Sequence, residues 1–312
     1  MAHLYFSLIC LIWGASFILM ERASHAFGPV EIGLFRSFIG AAVLGALWWW
    51  HGTRYKVTLG DLSRIAFSGT FSTAIPFIVQ PYCVSQGFGH SYFGILVSFL
   101  PLMTLVVSVP LLGTWPTGRQ LAGVIGGLAC MWTIMADGSF RGIAPHYVAV
   151  FMLVPICSAI GNTLINKWLT HIPALPLSSL LLFWCGLLLL PFQVIAPLRD
   201  GLGVSGPAVP HDWFWATAAL ATFVLFGTCI AILLNFKLVL DEGPLFAGMV
   251  TYVLPVLSLL WGRYDHELIT LREVAAMAGV LAMVALVQFG VSRPVSASVF
   301  ESAECQSSVP SP

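Results

Sequence analysis

The sequence predicts an all-α, polytopic membrane protein with ten transmembrane helices in two inverted five-helix repeats. Of its 312 residues, 58% are hydrophobic and 8% are charged, whereas soluble domains carry roughly 25% charged residues. Apolar runs close to the roughly 20 residues that a membrane-spanning helix needs occur ten times. A short Gly- and Pro-containing stretch also occurs twice, at 94–101 and again at 248–255. Together these observations exclude a water-soluble fold.

The predicted spans begin and end near turn-forming residues or charges. They cover residues 3–22, 29–50, 63–86, 89–112, 118–136, 144–168, 174–197, 213–240, 244–262 and 272–292. Gly28-Pro29 and Asp137-Gly138 are typical of the joints, because Gly and Pro mark turns. The first run lacks a basic segment before it and is followed by nine more, so it is interpreted as a span and not as a signal peptide. The tail, 293–312, is rich in Ser and Pro and is predicted to be disordered.

The second half of the chain repeats the first, which divides it into residues 1–137 and 144–292. The Gly, Leu and Pro of the repeated stretch coincide at a shift of 154 residues, from Gly94 to Gly248. The pattern Arg-x6-Gly-x-Leu-Ala also starts the last span of each half, at Arg119 and at Arg272. Because five spans per half is an odd number, the two halves must insert in opposite orientations.

The repeated stretch predicts an interrupted helix in each half. Its Pro leaves the carbonyl four residues earlier, on Val97 or Thr251, without a helical hydrogen-bond partner. Inside a membrane such a carbonyl is tolerated only where it is buried in protein or faces a wet cavity. Paired interruptions in two halves point to a transporter's binding site. The predicted helix-break and hinge residues are Gly94, Pro101, Gly248 and Pro255.

Several other function classes find no support in the sequence. The seven Cys show no CxxC pair and no metal-ligand spacing, so they are expected to be small buried hydrophobic residues. Thirteen basic residues balance thirteen acidic ones without a basic run, which argues against a nucleic-acid partner. HExxH, GxSxG and Gly-rich phosphate loops are missing. The sequence therefore predicts no enzyme, no catalytic residue, no cofactor and no metal.

Short motifs occur in a fixed order along both halves. They are Trp13-Gly14-Ala15-Ser16-Phe17 in the first span, Arg36-Ser37-Phe38 in the second, Leu-Pro in spans four and nine, Gly126 and Gly279 in spans five and ten, and His266-Glu267-Leu268-Ile269-Thr270 before the last span. In this order, over about residues 4 to 290, the chain resembles the drug/metabolite transporter superfamily in its EamA-type ten-span branch. The loop 113–117 departs from the family pattern because it has no acid. The resemblance implies a transporter of metabolites, amino acids or toxic organic compounds, often an exporter.

Uncharged polar residues inside the spans concentrate in spans three, four, six, eight and nine. With the first span, these are the spans that line the central cavity in the resembling family. The predicted substrate-binding residues are Trp13, Ser16, Gln80, Tyr82, Ser98, Ser158, Asn162, Asn166, Asn235, Thr251 and Tyr252. For the polar side chains, the alternative to substrate binding is hydrogen bonding between helices. For Trp13, the alternative is packing against neighbouring helices.

Arg36 lies well inside the second span, where a cation costs roughly 2.5–3.5 kcal/mol on insertion scales. Its side chain is expected to snorkel to the interface or to pair with Glu31 or Glu21. The alternative is direct contact with an anionic group of the substrate. No acidic residue is predicted mid-span. The small multidrug pumps of the resembling superfamily couple transport to protons through a Glu in their first span. Since Glu21 lies at the edge of that span, proton-coupled drug antiport is disfavoured.

The sequence thus predicts a secondary transporter that exports a small organic metabolite, an amino acid or a related compound, by alternating access. Multidrug efflux is the alternative within transport, and a non-transporting receptor or scaffold is the alternative outside it. Short loops argue against the latter. The expected partners are a small-molecule substrate and the lipid bilayer, and no nucleic acid. The sequence does not fix the oligomeric state and is compatible with a monomer. A small bias of Lys and Arg predicts a cell-membrane protein with cytoplasmic termini.

Overall fold

The computed structural model describes residues 1–52, 55–86, 96–113, 115–135, 145–201, 206–207 and 210–254, with short pieces between 256 and 286. Within these residues the regular structure is entirely helical and contains no strand. The predicted all-α class is therefore confirmed. Gly94, Pro255, the tail at 293–312, the end of predicted span nine and most of predicted span ten lie outside the described residues.

Six of the described helices are long and apolar enough to cross a membrane, namely α1, α2, α3, α6, α7 and α9. In chain order the helices are α1 Ala2–Ser24, α2 Pro29–His51, α3 Leu59–Ser85, α4 Leu100–Leu112, α5 Gly118–Met135, α6 Pro145–Trp168, α7 Ala174–Val194, α8 Ala196–Gly201, α9 Trp213–Asp241 and α10 Pro244–Leu254. The apolar helices α4 and α10 are shorter. The chain is a multi-pass membrane protein, and the count of ten spans stays a prediction.

Local sequence explains where α2 and α3 begin. Pro29 is the first residue of α2, and the Glu31 carboxylate accepts a 2.8 Å hydrogen bond from the Gly28 N–H. At α3, the Thr58 hydroxyl accepts from the Asp61 N–H and the Asp61 carboxylate accepts from the Thr58 N–H, both at 3.1 Å. Such reciprocal caps satisfy N–H groups that a helix start leaves without partners. They start α3 four residues earlier than predicted, at 59 and not at 63.

Two of the long helices contain a π-helical segment. In α3 it covers Thr70–Ala74, and in α9 it covers Phe223–Ile230. In α3 the segment ends just before Pro76, which has no N–H to complete an α-helical ladder. A shift of 154 residues carries 70–74 to 224–228, inside the second segment. π-Helical turns are rare and often mark functional sites, and the sequence patterns did not indicate either one.

Helices α2 and α7 pack closely because small residues lie at their contact. A Cβ atom on Gly33 would lie 2.9 Å from Cδ1 of Leu189, and one on Gly186 would lie 2.8 Å from Cε1 of Phe38. Both distances are shorter than a real Cβ contact, so a larger residue at either position would require the facing side chain to shift. Small residues at helix crossings are typical of membrane proteins, where close packing replaces the hydrophobic effect.

One set of helix ends meets at the face that carries the N-terminus, here called the N-terminal face. The His171 ring nitrogen lies 3.0 Å from the Asp61 carboxylate, which joins the α6–α7 loop to the start of α3. The His3 ring packs edge-on against Phe246 with centroids 6.1 Å apart, which brings the start of α10 to the start of α1. The ends of α2, α6 and α9 lie at this face with the starts of α1, α3, α7 and α10.

Other helix ends meet at the opposite face. The His25 and His211 rings stack with centroids 4.6 Å apart, which joins the end of α1 to the start of α9. The Tyr147 hydroxyl donates a 2.8 Å hydrogen bond to Oε1 of Gln86, which joins the start of α6 to the end of α3. The long helices therefore run between two faces, as membrane spans do.

Most of the described cysteines are buried in the helix packing. Cys10, Cys83, Cys157, Cys185 and Cys229 are buried, and each is a free thiol. This agrees with their predicted use as small apolar side chains.

Candidate functional site

A cavity of about 100 Å³ lies between helices from both parts of the chain. It is enclosed by α1, α2, α3, α6, α9, α10 and the start of α4. Its lining residues are Trp13, Ser16, Phe17, Met20, Arg36, Ser72, Pro76, Phe77, Gln80, Val97, Leu100, Val154, Pro155, Ser158, Asn162, Phe223, Ile232, Asn235, Phe236, Thr251 and Leu254. Hydroxyls and amides alternate with aromatic rings, so the cavity can bind an organic molecule through apolar contact and a few directed hydrogen bonds.

Many of the residues predicted to bind substrate do lie in this cavity. They are Trp13, Ser16, Gln80, Ser158, Asn162, Asn235 and Thr251. These residues come from five different helices, so their sequence separation gave no direct sign that they meet. Within α6, Ser158 and Asn162 are four residues apart and share one helix face, as predicted.

Two predicted contacts in the repeated stretches lie outside the cavity lining and connect helices. The Ser98 hydroxyl donates a 3.1 Å hydrogen bond to the carbonyl of Thr251. The Tyr252 hydroxyl donates a 2.9 Å hydrogen bond to the carbonyl of Val124 in α5, and its side chain is fully buried. Both follow the alternative of hydrogen bonding between helices, because each buried hydroxyl has a backbone acceptor on another segment.

Two further predicted contacts lie nearer the helix ends. Asn166 lies four residues, about one helix turn, beyond Asn162 in α6. Its side-chain amide donates a 2.8 Å hydrogen bond to the carbonyl of Val239 in α9. The Tyr82 ring packs against Tyr147, with centroids 6.3 Å apart, at the opposite face. Both residues are therefore placed away from the cavity lining, although they lie on helices that form it.

The two repeated stretches touch each other. A Cβ on Gly248 would lie 3.8 Å from Cα of Pro101, an ordinary van der Waals distance, so the two stretches are in direct contact. The Ser98 hydroxyl donates to the Thr251 carbonyl, and Pro255, four residues later in the sequence, has no N–H that could donate to that carbonyl. The helical pattern is interrupted by turns at Ser98-Phe99 and at Met249. Motion at these positions stays a prediction.

Trp13 is both packed and part of the cavity wall. Its indole N–H donates a 3.2 Å hydrogen bond to the carbonyl of Gly227, in the π-helical segment of α9. A π-helical turn disturbs the regular i to i+4 pattern, so its carbonyls can accept from side chains. The neighbouring Ser16 hydroxyl donates to the Ile12 carbonyl of its own helix at 2.7 Å. Trp13 therefore packs against α9 and also lines the cavity.

Arg36 does not snorkel to the interface. Its side chain lines the cavity and the residue is only 4% exposed. Its Nε donates a 3.0 Å hydrogen bond to the Thr228 hydroxyl. Its guanidinium carbon lies 3.7 Å from the ring centroid of Phe77 and 4.2 Å from that of Phe223. No ion pair with the acids near the ends of its span is formed within the described residues.

Glu31, one of the two acids expected to pair with Arg36, has other partners. Glu31 accepts from the Gly28 N–H and, at 3.3 Å, from the side-chain amide of Gln193. The Nη1 atom of Arg36 is buried without a hydrogen-bond partner among the described residues. A buried cation whose donors are only partly used is the most unusual electrostatic feature of the cavity.

Sequence reasoning missed the surroundings of this cation. Its neighbours are two aromatic residues and one threonine that lie in apolar runs, namely Phe77, Phe223 and Thr228. Such residue types are common in membrane helices, so they gave no sign of a cation site. Gly227-Thr228 in the middle of the longest apolar run, 213–240, could have indicated a polar break. Ser72, which lines the cavity from the first π-helical segment, was missed for the same reason.

A cluster of possible metal ligands lies on the opposite face. Ligand atoms of His25, His211 and Asp212 lie within 4.8 Å of one another. The His25 Nδ1 to Asp212 Oδ2 distance is 3.9 Å, longer than the about 3.4 Å that tetrahedral bonds of ~2.1 Å would give. The imidazole rings are stacked with an interplanar angle of 21°, so their in-plane lone pairs do not converge on one point. This arrangement does not fit a metal ion.

The helices and the cavity between them, whose lining is mainly apolar with several polar side chains, define a multi-pass membrane protein of transporter-like architecture. Residues 1–136 match the sequence model of the EamA-like transporter family, which confirms the family resemblance over that part of the chain. The family is one of transporters and not of enzymes. A solved structure, described only as the crystal structure of a protein, matches with a TM-score of 0.70 and 18% identity over 92% of this chain and 96% of its own. At that identity it supports the fold alone. No curated protein matches the chain.

Proposed function

We propose that the protein is a secondary transporter that exports a small organic metabolite, such as an amino acid or a related compound. The substrate binds in the central cavity between two inverted five-helix repeats, 1–137 and 144–292, and one repeat rocks against the other. The observation that carries this proposal is the cavity itself, since helices of both proposed repeats contribute polar side chains to one enclosed space.

The contacts between helix ends support the proposed ten spans. Two residues on the same face must be separated by an even number of membrane crossings. Between Gln86 and Tyr147, which touch at the opposite face, α4 and α5 supply two crossings. Between Asp61 and His171, at the N-terminal face, α3 to α6 supply four. Two predicted spans after α9 bring the total to ten.

Two further relationships support the proposed duplication. The π-helical segments of α3 and α9 lie at the same shift of 154 residues as the repeated Gly-Pro stretches. The repeated stretches cross each other, with Ser98 of one bonded to Thr251 of the other. Segments related by a two-fold axis meet where they approach that axis, so this crossing is the arrangement that an inverted repeat would produce.

The size of the cavity favours a metabolite over a drug. At about 100 Å³ it is smaller than the roughly 300–1,000 Å³ of pockets that enclose drug-sized ligands. In the proposed site Trp13, Ser16, Gln80, Ser158, Asn162, Asn235 and Thr251 contact the substrate. Gly94, Pro101, Gly248 and Pro255 provide the flexible wall. We place the protein in the cell membrane with its N-terminal face in the cytoplasm.

The test begins with the compounds that cells export with and without the gene. Metabolites that accumulate outside only when the gene is present are then loaded into proteoliposomes that contain the purified protein. We expect efflux of at least one small compound, and loss of that efflux in Asn162→Ala, Asn235→Ala and Trp13→Ala. Unchanged flux in all three variants would remove the proposed site while leaving the fold.

The rival functions give different results in the same experiments. A multidrug carrier would change the drug sensitivity of a deletion strain without changing its exported metabolites. A receptor or scaffold would move no compound into or out of proteoliposomes. Either result would contradict the proposal of metabolite export.

A further inference from the structure

We propose that the substrate carries a carboxylate and a net negative charge, and that Arg36 binds this carboxylate. This inference rests on the proposed transport function and names the class of substrate that the same cavity accepts. It starts from a charge that has no carboxylate partner among the described residues.

The burial of Arg36 has an energetic cost that its described neighbours offset only in part. The residue is 4% exposed, and taking an ion out of water into an apolar interior costs several kcal/mol unless a counter-ion is close. Its Nε is satisfied by Thr228. Its remaining stabilisation comes from the faces of Phe77 and Phe223, because a cation is attracted to the electron-rich face of an aromatic ring.

The two rings and the hydroxyl fix the orientation of the guanidinium group. Nε is directed to Thr228 in α9, while Phe77 of α3 and Phe223 of α9 each lie against the group. The Nη1 atom has no hydrogen-bond partner among the described residues. A planar guanidinium with free donors matches the two oxygens of a carboxylate, which it can bind through parallel hydrogen bonds.

The charge of the cavity selects against a substrate without net charge. Among the described lining residues Arg36 is the one charged side chain, and no Asp or Glu faces it. An anion would neutralise the site. The zwitterion of an amino acid would place its ammonium group among described lining residues that include no carboxylate, beside neutral groups such as Asn162 and Asn235. We therefore expect the site to prefer an acid to the corresponding amino acid.

The rest of the cavity indicates what else the acid carries. Amides from Gln80, Asn162 and Asn235, together with the hydroxyl of Ser158, offer hydrogen bonds to a hydroxyl or keto oxygen. The volume of about 100 Å³ leaves room for a chain of few carbons. Short hydroxy and keto monocarboxylic acids combine these features.

The experiment measures binding to the purified protein in detergent by calorimetry, separately from transport. The probes are glycolate, L-lactate, pyruvate, lactamide, L-alanine and inorganic phosphate. Lactamide replaces the carboxylate of lactate by a neutral amide, and alanine replaces its hydroxyl by an ammonium group. We expect at least one of the three acids to bind, and lactate to bind about 10- to 100-fold more tightly than lactamide, the range of a charged hydrogen-bonded contact.

Variants of Arg36 assign the preference to this residue. Arg36→Met is expected to lose the preference for lactate over lactamide, while Arg36→Lys keeps part of it because the charge remains and the planar fork is lost. Arg199→Gln is the matched control, since it removes one cation from α8, which forms no part of the cavity lining. Elution as a single folded species and the melting temperature check that each variant is intact.

Several results would overturn the inference. They are binding of none of the acids, equal binding of lactate and lactamide, an unchanged preference in Arg36→Met, or tighter binding of phosphate than of every acid. Transport is scored on its own in proteoliposomes. Arg36-dependent binding of acids without flux would remove the proposed function alone, whereas flux of uncharged compounds or amino acids in preference to acids would remove this inference alone.

Discussion

Arg36 Nε donates a 3.0 Å hydrogen bond to the Thr228 hydroxyl, and this bond joins α2 to the π-helical segment of α9. Both side chains are buried, at 4% and 0% exposure. The bond connects the first proposed repeat to the second beside the central cavity. A transporter that rocks one repeat against the other must carry this contact along or break it in each cycle.

Thr228→Val tests how much this contact matters. Valine has nearly the same shape, so the change removes the hydroxyl acceptor and leaves Nε of Arg36 unpaired. We expect a loss of about 1–2 kcal/mol of stability, the range for hydrogen bonds between membrane helices, together with reduced flux. Denaturant unfolding in detergent measures the first effect. The control is Thr222→Val, which removes an exposed hydroxyl bonded within the same helix. It should leave stability and flux unchanged. Equal stability of the two variants would contradict the account.

Gly161→Ala tests the packing of α6 on the first π-helical segment. An added Cβ would lie 2.3 Å from the backbone nitrogen of Ser72, and backbone atoms cannot move aside as a side chain can. We expect destabilisation of about 1–3 kcal/mol, as for overpacking elsewhere, and a lower melting temperature. Gly118→Ala, at the start of α5 with nothing within 4 Å, should be neutral or slightly stabilising. A melting temperature of Gly161→Ala at or above that of the wild type would show that the approach is looser than described.

Ser98→Ala tests the crossing of the repeated stretches. Without the hydroxyl, the carbonyl of Thr251 loses the bond that replaces its missing helical partner. We expect a loss of about 0.6–2 kcal/mol of stability, measured by unfolding in detergent. Ser7→Ala removes an exposed hydroxyl bonded within α1 and should have no effect. A Ser98→Ala variant as stable as Ser7→Ala would mean that another group or water satisfies the carbonyl.

Labelling of single cysteines tests the two faces and their orientation. Lys56, in the α2–α3 loop, and His211, just before α9, are both exposed and belong to opposite faces. On a background without Cys130, which is half-buried, and without Cys305, which lies outside the described residues, each is replaced by Cys. We expect a membrane-impermeant maleimide added to intact cells to label His211→Cys and not Lys56→Cys, and to label both after permeabilisation. Labelling of both in intact cells would contradict the assignment of faces.

The sequence predicted the class of fold and several residues of the cavity lining for reasons that are local. Long apolar runs predict membrane helices wherever they occur, and Ser158 and Asn162 share a face because of simple helix geometry. The pairing of Arg36 with Phe77, Phe223 and Thr228 is different. It depends on how three helices cross, and apolar ring contacts leave no spacing pattern in a single sequence.

Some of the predicted site residues lie outside the cavity lining for a simple physical reason. Polarity inside a span shows that a side chain avoids lipid, but it does not show whether the side chain faces a cavity or a neighbouring helix. Asn162 faces the cavity and Asn166 caps the Val239 carbonyl, although both are asparagines on one face of α6. The snorkelling expected for Arg36 was wrong because its aromatic neighbours, far away in sequence, provide a buried place for the cation.

These two asparagines provide the most direct test of the central claim, which is that substrate passes through the cavity. Flux of the exported compound is measured in proteoliposomes with equal amounts of folded Asn162→Ala and Asn166→Ala. The account predicts that Asn162→Ala loses most of its flux at nearly unchanged stability. It predicts that Asn166→Ala is less stable but keeps its flux per folded molecule. Normal flux in Asn162→Ala, with flux lost in Asn166→Ala, would contradict it.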